Sequence, residues 1–219
     1  MTTVHRSGFL SEFLRAPGTV AAITPSGPSL ADAVTIPIPR DGDPVVLELG
    51  PGTGAFTLAV QQRLAGRGHH LAIEINERFA AALAADFPRV RVATADACEL
   101  QNVLTASGFE QADVIVSGLP WAAFAPGRQD DLLAAIVGGL TPGGVFCTFA
   151  YTSTRWMPPA RRLRQRLADH FDEVLACRTV WANVPPAFVY YCRRPRPRRL
   201  TDRGATAGTG DRHATVVTR

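Results

Sequence analysis

The chain has 219 residues, 46% of them hydrophobic, enough for one α/β domain with a proper core and too few for two. All 23 basic residues are Arg and none is Lys, which excludes Schiff-base and lysine-base chemistry. The net charge of +4 comes from the end of the chain: residues 193–219 hold eight Arg against Asp202 and Asp211, a balance of +6 that leaves −2 for the other 192 residues, so a basic nucleic-acid-binding face on the folded body is not expected.

Residues 1–40 read as a helical arm. Phe9, Leu10, Phe13 and Leu14 fall on one helical face that Pro17 ends, and the Pro/Ser/Gly cluster over Thr24–Ser29 introduces a second short helix reaching about Val34. Such an aromatic amphipathic helix packs over the domain, or serves as a lid or membrane-surface anchor. From Pro44 onward strand and helix signals alternate. Strands are expected at Val45–Leu49, Leu71–Ile75, Val90–Ala93, Asp113–Val116 and, after the turn Thr141-Pro142-Gly143-Gly144, at Val145–Ala150. Helices are expected at Ala55–Leu64, Glu77–Asp86, near Glu99–Ala106 and across Asp130–Val137. That alternation specifies a parallel sheet with helices on both faces.

The end of the domain differs. A helix over Pro159–His170, with Leu163, Leu167 and Phe171 as its apolar face, precedes two strand-like runs, Val174–Trp181 and Ala187–Cys192, joined by Asn183-Val184-Pro185-Pro186. Two strands with no helix between them pair as an antiparallel hairpin. The tail over 193–219, rich in Arg, Pro, Gly and Thr, reads as disordered. The expected fold is therefore α/β: a Rossmann-like doubly wound seven-stranded mixed sheet, five parallel units closed by a hairpin. This layout resembles the class I methyltransferases over residues 41–192.

The run Glu48-Leu49-Gly50-Pro51-Gly52-Thr53-Gly54 follows the first strand and opens the first helix, the context of a nucleotide-binding loop. Its spacing is G-x-G-x-G and not the dinucleotide G-x-G-x-x-G, and no basic residue lies in the turn to hold a pyrophosphate, which favours S-adenosylmethionine over NAD. Gly50, Gly52 and Gly54 let a ligand lie against backbone. Glu74, followed by Ile75, ends the second strand where a carboxylate accepts hydrogen bonds from ribose hydroxyls. Asp96, with Ala97, follows the third strand and is the candidate for the adenine amino group, or an ordinary helix cap. Glu48 is placed to orient the loop or to reach the methionine amine through water.

After the fourth strand comes Ser117-Gly118-Leu119-Pro120-Trp121. It resembles the N-[LI]-P-[YF] motif of rRNA adenine dimethylases, but Gly118 stands where that family has Asn, and an adenine amine would lose its side-chain acceptor. The G-L-P form is similar to bacterial phospholipid N-methyltransferases, which methylate phosphatidylethanolamine. Trp181-Ala182-Asn183-Val184-Pro185-Pro186-Ala187-Phe188-Val189 is similar to that family's N-x-P-P-A-x-V hairpin, and with the N-terminal Ala-Ile-Thr-Pro-Ser segment the resemblance spans nearly all of residues 9–192. It implies S-adenosylmethionine as cofactor, a lipid amine as acceptor, and Gly118, Leu119, Pro120, Trp121 and Asn183 as the acceptor site. Backbone carbonyls around Gly118–Leu119 would hold the amine, and Trp121 or Phe124 would favour a growing ammonium by cation–π attraction. His5 is a candidate base; His69 and His70 read as structural.

Arg155, Arg161, Arg162, Arg164 and Arg166 precede or line the last helix, either as a solvated face or as contacts for anionic headgroups or a substrate phosphate. Cys98, Cys147, Cys177 and Cys192 lack metal or disulfide spacing and read as reduced core residues, with no metal site expected. No signal peptide or membrane span is legible. The expected setting is cytoplasmic, with or without peripheral contact at the inner membrane face. A methyltransferase of a soluble metabolite stays open as an alternative, as does a non-catalytic cofactor-binding protein. Oligomeric state is not legible.

Overall fold

Val45–Leu49 (β1) carries apolar side chains toward both faces, Val46 on one and Leu47 and Leu49 on the other, all fully buried. A strand buried on both sides belongs in the middle of a parallel sheet covered by helices. The computed structural model, which describes residues 26–196, shows that arrangement. In chain order the elements are α1 (Pro28–Thr35), β1, α2 (Ala55–Leu64), β2 (His69–Glu74), α3 (Glu77–Asp86), β3 (Arg91–Thr94), α4 (Leu100–Ala106), β4 (Ala112–Ser117), α5 (Pro126–Gly139), β5 (Leu140–Tyr151), α6 (Pro158–His170), β6 (Phe171–Ala176) and β7 (Ala187–Pro195). Short 3₁₀ turns cover Ala97–Glu99, Trp121–Ala123 and Thr152–Thr154.

The seven strands run in the order β3-β2-β1-β4-β5-β7-β6. The first five are mutually parallel, and β7 lies antiparallel between β5 and β6. The order reverses between β1 and β4, so the loops leaving those two strands diverge to opposite faces and open a crevice at their carboxyl ends, where open α/β sheets bind ligands. The glycine run follows β1 and the Gly118 turn follows β4.

On one face α1 and α2 pack Leu30, Val34, Val60 and Leu64 against Val46, Val114, Val116 and Cys147. On the other, α4, α5 and α6 pack Leu100, Leu132, Leu133, Ile136, Leu163 and Leu167 against Leu47, Leu49, Ile115 and Phe146. Each such large side chain, fully buried, contributes roughly 1.5–3 kcal/mol. Phe146 stands between Trp121 (ring centroids 5.8 Å apart) and Phe171 (5.9 Å), so an aromatic stack joins the acceptor turn to the last strands.

Several expected boundaries move. The Thr141–Gly144 segment is not a turn before β5 but a bulge inside it: the β4 register passes from Ala112↔Leu140 to Val114↔Val145. Helix α5 starts at Pro126, not Asp130, because proline at N1 fits the first helical turn. Phe171 opens β6 and is not on the α6 face, and β6 stops at Ala176 and not at Trp181; of the expected remainder only Val180 bridges Ala187. The expected Phe9–Leu14 helix, His5 and the tail beyond residue 196 lie outside the described residues.

Candidate active site

Two loops meet at the switch point with their backbones in contact. Gly50, at φ +68°, donates its N–H to the Ile73 carbonyl at 2.9 Å, and Gly118 donates to the Leu49 carbonyl at 2.9 Å. A Cβ at position 118 would stand 2.6 Å from the Gly50 carbonyl oxygen, and one at position 50 would stand 2.7 Å from Leu119 Cδ2. Glycine at both positions is therefore a condition of this approach, and the missing Asn of the dimethylase motif has a steric reason: no side chain fits at 118.

Gly52 behaves differently. A Cβ there would meet nothing within 4 Å, so this turn of the loop faces open space, while its N–H donates to Glu74 Oε2 at 3.1 Å. The other Glu74 oxygen accepts from the Asn76 N–H at 2.9 Å. Glu74 is thus carried by β2 to the edge of the glycine loop, with Ile75 half-buried in the bend beyond it. Gly54 enters α2 at φ +84°, and no side chain caps that helix, leaving its N-terminal N–H groups and positive dipole end facing the crevice.

Glu48 does not reach into the crevice. It is fully buried on the α2 face, where Oε2 accepts from the Thr57 hydroxyl at 2.8 Å and lies 3.1 Å from His70 Nε2. Gln61 Nε2 lies 3.0 Å from His70 Nδ1. With Gln61 donating there, the ring proton sits on Nε2 and points at Glu48. Glu48 Oε1 has no partner among the described residues. The network braces α2, and so the end of the glycine loop, against β1 and β2.

Asp96 caps the Ala97–Glu99 turn, accepting from the Cys98 N–H at 2.8 Å, and it also pairs with Arg128. Burial raises its pKa, but the Arg128 hydrogen bond and the Cys98 N–H outweigh that and hold the carboxyl below its ordinary value. Arg128 donates in addition to Cys98 Sγ at 3.0 Å. Burial pushes the Cys98 thiol up to about 11, so it stays protonated at neutral pH. Ala97 is buried in the core under this turn.

Ser117 Oγ accepts from Trp121 Nε1 at 3.0 Å and from the Leu119 N–H at 3.3 Å. Trp121 is only 2% exposed, edge-on to Phe124 and Phe146. The expectation of an indole face open to a growing ammonium is therefore corrected: Trp121 anchors the turn from below, and half-buried Phe124 is the nearer surface aromatic. Leu119 is buried and its carbonyl accepts from the Trp121 N–H. Half-buried Pro120 accepts from Ala123. Of the four carbonyls from Gly118 to Trp121, that of Gly118 alone accepts no hydrogen bond among the described residues. Gln129 donates to the Trp121 carbonyl at 2.7 Å and to that of Phe124 at 3.3 Å, fixing the far end of the turn.

Asn183 is also corrected. It is buried, its Oδ1 accepting from the Gly27 N–H at 2.8 Å and its Nδ2 donating to the Pro185 carbonyl at 2.7 Å. Both ends of its amide tie the start of α1 to the β6–β7 connection, so it is a latch for the arm. Arg128 and Gln129 were missed by sequence reasoning; the Ala125-Pro126 signal for an earlier helix start would have placed both in the first turn of α5.

Among the described residues no cluster of His, Cys, Asp and Glu could hold a metal ion, and no helix is long and apolar enough to cross a membrane.

A doubly wound sheet with this loop and two carboxylates at adjacent strand ends defines a methyltransferase of the Rossmann-like kind. The model of a methyltransferase domain family matches residues 46–144. The ornithine lipid N-methyltransferase of Singulisphaera acidiphila is 32% identical over 188 residues, covering 84% of this chain and 94% of the relative. Human methyltransferase-like protein 13, solved with S-adenosylhomocysteine, matches with a TM-score of 0.55 at 19% identity, over 78% of this chain and 81% of that one. Aeropyrum pernix fibrillarin with bound S-adenosylmethionine matches with a TM-score of 0.56 at 16% identity, over 74% and 73%. The chain belongs to the class I S-adenosylmethionine-dependent methyltransferases, near the lipid N-methyltransferases. It is an enzyme, and S-adenosylmethionine is its methyl donor.

Proposed function

We propose that the enzyme methylates the primary amine of a membrane lipid headgroup, an ornithine-headed lipid or phosphatidylethanolamine, at the membrane surface. The observation that carries this reading is the Gly118 turn: it lies in backbone contact with the cofactor loop, admits no side chain, and leaves the Gly118 carbonyl as the acceptor for an N–H. Similarity to an ornithine lipid N-methyltransferase over 84% of the chain supports a lipid amine over a soluble metabolite.

Glu74 takes the ribose hydroxyls by exchanging the Gly52 and Asn76 N–H groups it now accepts from, and the open side of Gly52 with the uncapped α2 terminus takes the methionine carboxylate. Asp96 lies at the adenine end, oriented by Arg128. The cofactor supplies a methyl group on a sulfonium, open to in-line attack by a neutral nucleophile. What the chain adds is placement: the Gly118 carbonyl orients the amine by accepting one of its hydrogens, and the buried Leu119 and Trp121 keep the floor of the turn dry. The amine enters as the neutral base and no titrating side chain is assigned to deprotonate it.

Purified protein incubated with labelled cofactor and with ornithine lipid, phosphatidylethanolamine or an aqueous metabolite extract tests this. Label in methylated lipid is the expected result, and label confined to water-soluble products overturns the reading.

A further inference from the structure

Beside the acceptor turn, the same edge of the sheet ends in two braced loops. The 152–157 segment follows β5 and the 177–186 segment precedes β7; the Thr152 N–H donates to the Pro186 carbonyl at 2.8 Å, and Val180 donates to Ala187 at 2.7 Å. Asn183 fastens the second loop from inside. On this fixed frame stand Trp156 at 80% exposure, Met157 at 51%, Trp181 at 74% and Val184 at 75%. Two tryptophans on hydrogen-bonded loops, turned outward beside a binding crevice, have an unfavourable contact with water that folding does not require.

The two loop segments themselves carry charge of one sign. Neither 151–168 nor 174–196 contains an Asp or Glu. Arg155 lies 5.5 Å from the Trp156 ring and 5.7 Å from the Phe188 ring. Arg161 and Arg162 sit exposed near the start of α6, whose first turn holds no acid to offset them. Arg155, Arg161, Arg162 and Arg178 have no carboxylate within salt-bridge distance among the described residues. Arg155 rests on two aromatic rings, but Arg161, Arg162 and Arg178 have no ion-pair or ring partner among the described residues, and an anionic surface would supply one.

We propose that this rim seats the enzyme on an anionic lipid bilayer, with Trp156 and Trp181 entering the headgroup region and the unpaired arginines meeting lipid phosphates. Tryptophan is suited to that depth because its ring is apolar with one polar N–H, and cations near an anionic surface each add attraction. Docked so, the carboxyl edge of the sheet faces the bilayer and a headgroup amine reaches the Gly118 turn without leaving its lipid. The proposal rests on the lipid-amine reading for its purpose, though the surface can be tested separately.

The full-length chain is sedimented with neutral phosphatidylcholine vesicles and with vesicles containing phosphatidylglycerol. Binding should favour the anionic vesicles and fall about tenfold or more in Trp156→Ala/Trp181→Ala and in Arg155→Gln/Arg161→Gln/Arg162→Gln. The tryptophan pair should leave cofactor affinity and methyl transfer to detergent-dispersed lipid unchanged. Of the three tryptophans only Trp121 is buried, so brominated acyl chains should quench the fluorescence of the parent strongly and that of Trp156→Phe/Trp181→Phe little. Undiminished vesicle binding in both multiple variants, quenching unaffected by the phenylalanine pair, or a change of oligomeric size in the alanine pair in place of lost vesicle binding would each overturn the proposal. Failure of the parent to methylate dispersed lipid sinks the substrate reading alone, and the vesicle data still decide the rim.

Discussion

A single methyl group added at position 118 tests the core of the site. In Gly118→Ala the new Cβ would lie 2.6 Å from the Gly50 carbonyl oxygen and 3.8 Å from that of Leu49. The first contact is well inside van der Waals separation and its partner is backbone, so no side-chain rotation relieves it. Either the Gly118 turn or the cofactor loop must withdraw by something under an ångström. Overpacking of this kind costs roughly 1–3 kcal/mol of stability, which for a domain of this size lowers Tm by several degrees at about 2–4 °C per kcal/mol. The larger effect falls on turnover, because misplacement by about 1 Å can cost on the order of 10²-fold in rate. Cofactor affinity should weaken as well, since the displaced carbonyl belongs to the glycine loop. The assay is kcat/KM on dispersed lipid amine with calorimetry of S-adenosylmethionine binding, after circular dichroism shows a folded protein. A folded Gly118→Ala enzyme with parental kcat/KM and cofactor affinity would refute the argument that the two loops must touch.

Glu74→Gln keeps the shape but removes the charge to which the ribose hydroxyls would donate; charged hydrogen bonds are worth about 1.5–3 kcal/mol each, so cofactor Kd should rise on the order of ten- to a hundredfold by calorimetry. The Asp96 carboxyl is held below its ordinary value of 3.8, so its contribution to folding is fully present above the unfolded pKa and lost as pH falls through the folded one. Denaturant titrations should accordingly show the parent more stable than Asp96→Asn at neutral pH, with the gap closing below about pH 4. Asn183→Ala leaves the Gly27 N–H and the Pro185 carbonyl without partners and should cost roughly 1–3 kcal/mol, lowering Tm while kcat changes only severalfold; collapse of kcat at unchanged melting temperature would restore a direct role for Asn183 at the acceptor.

Much of the framework could be read from local pattern. Alternating apolar runs located all seven strands, and the placement of Gly50, Gly52 and Gly54 between β1 and α2 followed from the spacing of the run itself. Glu74 was legible because a strand end is a position along the chain. Boundaries failed where two signals competed: Pro142-Gly143-Gly144 reads as a turn, yet pairing on both sides of it draws it into β5 as a bulge, and Phe171, one residue past a helix of the right period, is claimed by β7 through its pairing with Pro195.

The sequence alone determined the order of elements, the glycine loop and the position of Glu74 at the end of β2, because these depend on neighbours along the chain. What only the tertiary structure decided is which way side chains are spent. Trp121 is drawn inward by Ser117, Phe124 and Phe146; Arg128 reaches back to Asp96 across the switch point; and Asn183 turns from the acceptor to hold Gly27. Each of those partners except Ser117 and Phe124 lies 25 residues or more away in sequence, at distances of chain that periodicity does not register. Gly118 joins the two levels: its lack of a side chain is plain in the sequence, but the reason is a carbonyl oxygen 68 residues earlier, brought to within one Cβ of it by the pairing of β1 with β4.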